Sequence, residues 1–440
     1  MKHSMLISYP EGFSLGWRGA TARLLDLAEG LASLGWNVTM LSSRSVGQHD
    51  QSAQEQCFPG RVIRTPFTGA YPRWIDTSPK LRRLYRGTWK IFGERHYYER
   101  LALGWAERTE EWFPRNWNLP SPDVVWAICT SNLNGIVAGR KLAKVFDCPL
   151  VLEFQDPPSS KGNRLHTALL AVFRQVLRNS NGVVTTSCSY AQHLVDTHQI
   201  SSAAVLPLHL SFSQMSSERV LRKQEEPLIF LHAGSLRTDC GRNARSLVAA
   251  FAQLLRTRPE CQGQIRLRLL GGGDGAQQAR RLAEASGIGT SVEVVPEVPL
   301  EKAEEAMDLA DVLVVIKYAD PLFDMQIPGK LFQYLAKVKP ILGIMPPATE
   351  AAQILAASGL GLVSSNADVE GIAGNLRRIW EARNNFETLI EPDLDYIAQF
   401  SRERMANRCH EFLLRVVDQG AQRRVADGSG HVIAIRDIAS

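Results

Sequence analysis

Three cationic residues stand where phosphate chemistry would want them. Arg237 and Arg242 flank a glycine-bearing turn, Ser235-Leu-Arg-Thr-Asp-Cys-Gly-Arg-Asn, that runs straight into a helical stretch from Ala244 to Arg256. Two fixed guanidinium groups and a row of helix-start amides then converge on one spot, an arrangement suited to a diphosphate; paired arginines on a solvated loop are the plainer alternative. Lys330 follows Pro328, a residue suited to the first turn of a helix. Behind it Leu331, Tyr334, Leu335 and Val338 recur at i, i+3, i+4 and i+7, which predicts a buried helix face ending before Pro340, while Lys330 and Gln333 lie on another face. A lysine beside a helix start is a natural seat for phosphate. The carboxylate of the set is Asp156. The apolar run Pro149-Leu-Val-Leu-Glu-Phe ends in Gln155-Asp-Pro-Pro, which puts Asp156 at the carboxyl edge of a parallel sheet, where open α/β sheets bind ligands. The bland reading of Asp156 is a side chain capping the following turn.

The elements that must position these groups alternate twice. In the first half, strand-like runs begin at Met5, Asn37, Pro122, Pro149, Gly182 and Ala204, with helical runs at 20–33, 133–146, 167–179 and 190–197. The first strand passes into a glycine loop, Glu11-Gly-Phe-Ser-Leu-Gly-Trp-Arg-Gly, before its helix; Gly16 and Gly19 can bring backbone amides near a phosphate, although the spacing is not GxGxxG and an ordinary tight turn explains it too. Residues 210–226 are polar and without pattern, which predicts an interdomain link. The alternation restarts with Pro227-Leu-Ile-Phe-Leu-His-Ala-Gly, a strand running into Gly234, and continues through a strand ending in Gly271-Gly-Gly-Asp-Gly. Strand and helix in alternation demand right-handed crossovers, hence parallel sheets wound on both faces. The expectation is α/β: two Rossmann-like, doubly wound domains, 1–209 and 227–395, facing a central cleft. A last helix is predicted at 396–418, and residues 419–440, rich in Gly, Arg and Asp, are expected to be disordered.

Composition narrows the class. A chain of 440 residues exceeds one ordinary core. Hydrophobic residues at 45% and charged residues at 22% suit a globular protein, and a net charge of +5 is too mild and scattered for a dedicated nucleic-acid binder. Seven cysteines at irregular spacing without a CxxC pair point to reduced thiols and a cytoplasmic setting. The start of the chain is too short a strand-like run for a signal peptide, and no stretch is long enough for a membrane span. Residues 71–117 interleave arginines and lysines (Arg82, Arg86, Lys90) with Trp74, Tyr85, Trp89, Phe92 and Trp105. That mixture suits an anionic membrane surface; a solvated helix whose aromatics pack inward is the alternative.

Pro328-Gly-Lys-Leu-Phe-Gln-Tyr-Leu-Ala with Lys339-Pro-Ile-Leu is similar to the donor-binding segment of retaining GT-B glycosyltransferases, especially glycosyltransferase family 4. The resemblance is most specific over 228–382 and looser before that. It implies transfer of a sugar from a nucleotide-diphosphate sugar to an acceptor hydroxyl, in polysaccharide, lipopolysaccharide or glycolipid synthesis. No metal and no other cofactor is implied. The family's Arg and Lys at the Gly-x-Leu turn clamp the donor's diphosphate, which implies that role for Arg237 and Arg242 near Gly234, joined by Lys330. The glycine turn at Gly272 shapes the nucleotide pocket, and backbone near Val298 meets the base. Glu-Phe-Gln-Asp-Pro resembles a family segment facing the reacting sugar, which makes Asp156 the group for the acceptor. The last helix commonly crosses back to the first domain. This chain departs from the pattern at both family glutamates, where Gln333 and Met325 stand, so that Gln333 is assigned the ribose and Asp324 the lost carboxylate; Val338 replaces a glycine. Two other readings are a nucleotide-sugar epimerase of the same fold and a non-catalytic binding module.

Overall fold

In the computed structural model the described residues are 3–10, 19–43, 56–67, 94–129, 133–155, 164–216, 226–238, 242–317, 319 and 321–426, without side chains at 19–20, 94–102, 164–169, 322 and 423–426. Thirteen strands form two all-parallel sheets among them. The first contains β1 (Ser4–Ser8), β2 (Asn37–Ser43), β3 (Arg61–Thr65), β4 (Val124–Cys129), β5 (Leu150–Phe154), β6 (Gly182–Thr185) and β7 (Val205–Pro207). The second contains β8 (Leu228–Ala233), β9 (Ile265–Leu270), β10 (Val292–Val295), β11 (Val312–Ile316), β12 (Ile341–Ile344) and β13 (Gly361–Ser364). Their orders, β3-β2-β1-β4-β5-β6-β7 and β10-β9-β8-β11-β12-β13, follow one plan. Each sheet grows outward in both directions from a central pair, β1 beside β4 and β8 beside β11, and at such a reversal loops of opposite hand part to leave a ligand crevice.

The chain divides into two units, residues 1–209 with 405–440, and residues 210–404. In the first, the apolar stripe of helix Gly19–Ser33 (Leu24, Leu25, Ala28, Leu31) and Met405, Cys409, Phe412, Leu413 and Val416 of helix Arg402–Ala426 cover one sheet face. Glycine permits the close approach there: a Cβ at Gly182 would lie 2.7 Å from the Phe412 ring, and one at Gly420 would lie 2.3 Å from Pro149. In the second unit, helices Arg245–Thr257, Asp274–Ala285 and Val369–Glu381 cover one face, while Leu300–Leu309, Lys330–Ala336 and Glu350–Ala357 cover the other. The burial of β11 is complete, since each of its residues is closed off on both faces.

Several expectations shift. The single helix predicted at 396–418 is two, Leu394–Ala398 and Arg402–Ala426. Between them the Phe212 N–H donates to Phe400 and the Arg402 N–H donates to Phe212, so backbone groups that a continuous helix needs are spent on a bridge. The helix then runs to Ala426, further than Asp418. The helix behind Pro328 begins at Lys330 and ends at Ala336, so it has only seven residues. It stops short because Val338 adopts φ 49°, the left-handed region that a β-branched residue disfavours. The next residue holds that end: Lys339 donates to the carbonyls of Met307, Asp308 and Ala310 and so caps helix Leu300–Leu309. Of the proposed membrane-facing aromatics, Trp105 is fully buried and donates Nε1–H to Thr65 Oγ1 at 2.9 Å. That ring is core, and residues 71–93 lie outside the described residues.

Candidate active site

The second unit gathers its chemistry at the β8/β11 reversal. Strand β8 is apolar except for His232, which is completely buried. Its Nδ1 lies 2.9 Å from the Val314 carbonyl of β11. A carbonyl only accepts, so Nδ1 carries the hydrogen, and Nε2 keeps its lone pair. Lys330 Nζ lies 3.1 Å from that Nε2 and donates to it. The imidazole remains neutral because burial, then Lys330, holds its pKa well below the usual histidine value. Lys330 itself is pulled down to about 7, chiefly by burial of the amine and then by the charge of Arg242. The amine rests on Gly234, whose φ of 126° is glycine's own territory, and a Cβ there would lie 2.6 Å from Nζ.

Behind the amine the scaffold is rigid. The Tyr334 hydroxyl, fully buried, accepts the Ala233 N–H at 2.9 Å, which ties helix Lys330–Ala336 to the end of β8. In front, the turn after β8 is stitched to the glycine turn after β9. The Leu236 N–H donates to Gly272 and the Gly275 N–H to Leu236. At Gly273, φ 108°, a Cβ would stand 2.0 Å from the Leu236 oxygen, so only glycine lets these backbones meet. Arg242 donates to Ser235 Oγ at 3.1 Å and its carbonyl accepts the Arg237 N–H at 2.8 Å, closing the turn. The result is a cationic patch on a glycine backbone: a half-buried lysine and a half-buried arginine beside the turn at Gly234. Such a surface stabilises added anionic charge without reorganising.

A second polar cluster sits inside the first unit. Glu153 of β5, 1% exposed, takes Arg23 Nε–H at 2.6 Å, Trp126 Nε1–H at 2.8 Å and Gln155 Nε2–H at 3.2 Å. Arg23, 6% exposed, also donates to the His209 carbonyl at 2.8 Å. Thr186 Oγ1 then donates to the Gln155 carbonyl at 3.0 Å. The ion pair therefore pins the carboxyl end of β5, the strand from which residue 156 follows.

Residues 18–210 match the glycosyl transferase 4-like domain, and residues 214–322 match glycosyl transferases group 1. The solved structures similar to this chain include a glycosyltransferase from Rickettsia africae ESF-5 (13% identity, TM-score 0.64, covering 94% of this chain and 99% of that one). The lipopolysaccharide outer core galactosyltransferase WaaB in its apo form matches at 13% identity and TM-score 0.59, over 94% of this chain and 99% of that one. Sucrose-phosphate synthase from Thermosynechococcus elongatus matches at 17% identity and TM-score 0.56, over 98% and 100%. The chain belongs to the GT-B glycosyltransferases of the group 1, family 4 type. A comparison with curated protein sequences finds no match.

Placed on this glycosyltransferase, the residues read from sequence fall into three sets. Lys330, Arg242 and Gly234 come together, with Arg242 close enough to depress the Lys330 amine. Arg237 shares their turn through its backbone, but its side chain is exposed. Gln333, one turn after Lys330, is half-buried on the same helix. Asp324 is 3.7 Å from Lys317 Nζ, a lysine 1% exposed that donates to the Phe323 carbonyl at 2.7 Å. Val298 packs at the edge of the core, and Gly272 has open space where a Cβ would be. Asp156 and Gly16 lie outside the described residues, and Gly19 is the first residue of its helix. Helix Lys330–Ala336 has only seven residues and so builds little dipole, which leaves the Lys330 and Arg242 side chains as the main positive groups at this point. Sequence reading passed over His232 and the Arg23–Glu153 pair. The available signal was a single ionisable residue inside an otherwise apolar strand, His in Leu-Ile-Phe-Leu-His-Ala and Glu in Leu-Val-Leu-Glu-Phe, since a buried group of this kind needs a partner.

Proposed function

We propose that this glycosyltransferase takes a nucleotide-diphosphate sugar as donor and moves the sugar to an acceptor hydroxyl with retention, without a metal ion. The observation that carries the donor assignment is the meeting of Lys330 and Arg242 over the bare backbone at Gly234. As the bond from the sugar to the diphosphate breaks, negative charge grows on the leaving oxygens. Cationic side chains held in place beforehand lower that barrier in the way a divalent ion does elsewhere. Lys330 and Arg242 supply the charge in this reading, Arg237 adds an exposed guanidinium at the rim, and Gln333 holds the ribose. The glycine turn at Gly272 and the backbone at Val298 take the nucleotide, and Asp324 stands in for a missing family carboxylate. Asp156 serves the acceptor, a glycan or lipid-linked glycan. Among the described residues no helix is long and apolar enough to cross a membrane. Work on a cytoplasmic face, with a peripheral contact through the segment 71–117 apart from its buried Trp105, fits such an acceptor.

The test is calorimetric titration with UDP-, GDP-, ADP- and dTDP-sugars after a thermal-shift screen, because a ligand of the folded state raises the melting temperature. Arg242→Ala or Lys330→Ala is expected to weaken the best donor by about 1.5–3 kcal/mol, the usual loss for a charge-assisted hydrogen bond. Binding and turnover should survive a chelator. Unchanged affinity in both variants removes the cradle from the mechanism, and loss of turnover on chelation removes its metal independence.

A further inference from the structure

A lysine is a poor fixed charge by itself, because its amine swings on a four-carbon stem. Here the amine is held from below. His232 is fully buried, its Nδ1–H is spent on the Val314 carbonyl, and its Nε2 lone pair points at Lys330 Nζ 3.1 Å away. No strand requires a histidine at this position, and Leu or Ile would extend the apolar run of β8 without the cost of burying an imidazole. We propose that His232 is a positioning residue for Lys330, holding the lysine amine over Gly234 where the diphosphate of the donor is received. This rests on the donor reading above.

The geometry has a consequence that simple packing lacks. The Nε2 lone pair accepts an N–H from either the neutral amine or the ammonium, so Lys330 stays in place in both states. Among the described residues the charged group acting on Lys330 is Arg242, and those acting on His232 are Lys330 and Arg242. With the free amine at about 7, an arriving diphosphate supplies the missing counter-charge and favours the ammonium. Donor binding above pH 7 therefore takes up a proton, and affinity falls as pH rises through 7 to 9. The phosphates of a nucleotide sugar are diesters that do not titrate in this range, so the pH profile reports the protein.

The probes are UDP-glucose, GDP-mannose, ADP-glucose and dTDP-glucose, titrated calorimetrically into the full chain at pH 6, 7 and 8.5 in buffers of different ionisation heat. For the tightest binder, wild type is expected to lose up to roughly tenfold per pH unit above 7 and to take up close to one proton at pH 8.5. His232→Leu, which fills the space without an acceptor, is expected to weaken binding by about tenfold at pH 6 and to alter the pH profile. His232→Gln, whose amide reaches toward the Nε2 position, should recover most of the affinity. A folded His232→Leu with wild-type affinity and profile overturns the positioning role and leaves the donor reading standing. If His232→Leu does not fold, His232→Phe decides, and a folded His232→Phe with wild-type affinity and pH profile overturns the proposal. Binding of none of the four probes overturns the donor reading and this inference with it.

Discussion

Glu153→Gln replaces one atom and should be among the most damaging changes in the first unit. Three donors converge on the Glu153 carboxylate: Arg23 and Gln155 on Oε1, Trp126 on Oε2. A carboxylate accepts all three, whereas an amide has one accepting oxygen and one N–H₂ group. With the amide oxygen toward Arg23, the N–H₂ faces the Trp126 N–H; flipped, it faces Arg23 and Gln155. Either way two donors meet in a site without water access, and the Arg23 guanidinium loses its counter-charge while 6% exposed. Breaking a buried pair from one side costs about 3–5 kcal/mol. For a unit of this size that lowers the melting transition by about 2–4 °C per kcal/mol. The assay is differential scanning calorimetry of wild type, Glu153→Gln, and the closed cycle Glu153→Leu, Arg23→Met and Arg23→Met/Glu153→Leu. The double variant removes both charges together and should be less unstable than the sum of Arg23→Met and Glu153→Leu, although the Trp126 and Gln155 N–H groups then lack their acceptor and the His209 carbonyl lacks the Arg23 donor. A Glu153→Gln penalty below about 1 kcal/mol, or a double variant as unstable as the sum of the singles, would refute the coupling.

Two further outcomes follow from the second unit. Tyr334→Phe leaves the buried Ala233 N–H without its 2.9 Å acceptor and is expected to cost about 1–3 kcal/mol, read by urea denaturation; a neutral effect would mean the helix is held by packing alone. Lys330→Met removes an amine whose folded pKa is lowered to about 7. Below pH 7 that amine is charged in both folded and unfolded chains and the folded state bears the whole cost, while toward pH 9 the folded amine is neutral and part of the cost is gone. The stability of Lys330→Met relative to wild type should therefore shrink between pH 6 and pH 9, and a difference constant with pH would place the lysine outside the desolvated site.

The fold was legible because its signals are short-range. Apolar runs such as Val312–Ile316 and the periodic helix faces of 24–31 and 331–335 report burial directly, and strand-helix alternation leaves few topologies open. The cationic residues Arg242 and Lys330 and the glycine turns were visible for the same reason, since their types limit what they can do. What no local pattern could supply was which distant groups meet. His232 and Lys330 are ninety-eight positions apart, Arg23 and Glu153 one hundred and thirty, and each pairing exists only because parallel strands bring remote segments into register. The left-handed Val338 and the split of the last helix were hidden likewise, because a bridge to Phe212 and the capping by Lys339 outweigh local preference. Sequence alone determined where charge and flexibility reside along the chain. Tertiary structure decided which charges are stripped of water and held together, since desolvation and hydrogen-bond geometry depend on neighbours in space.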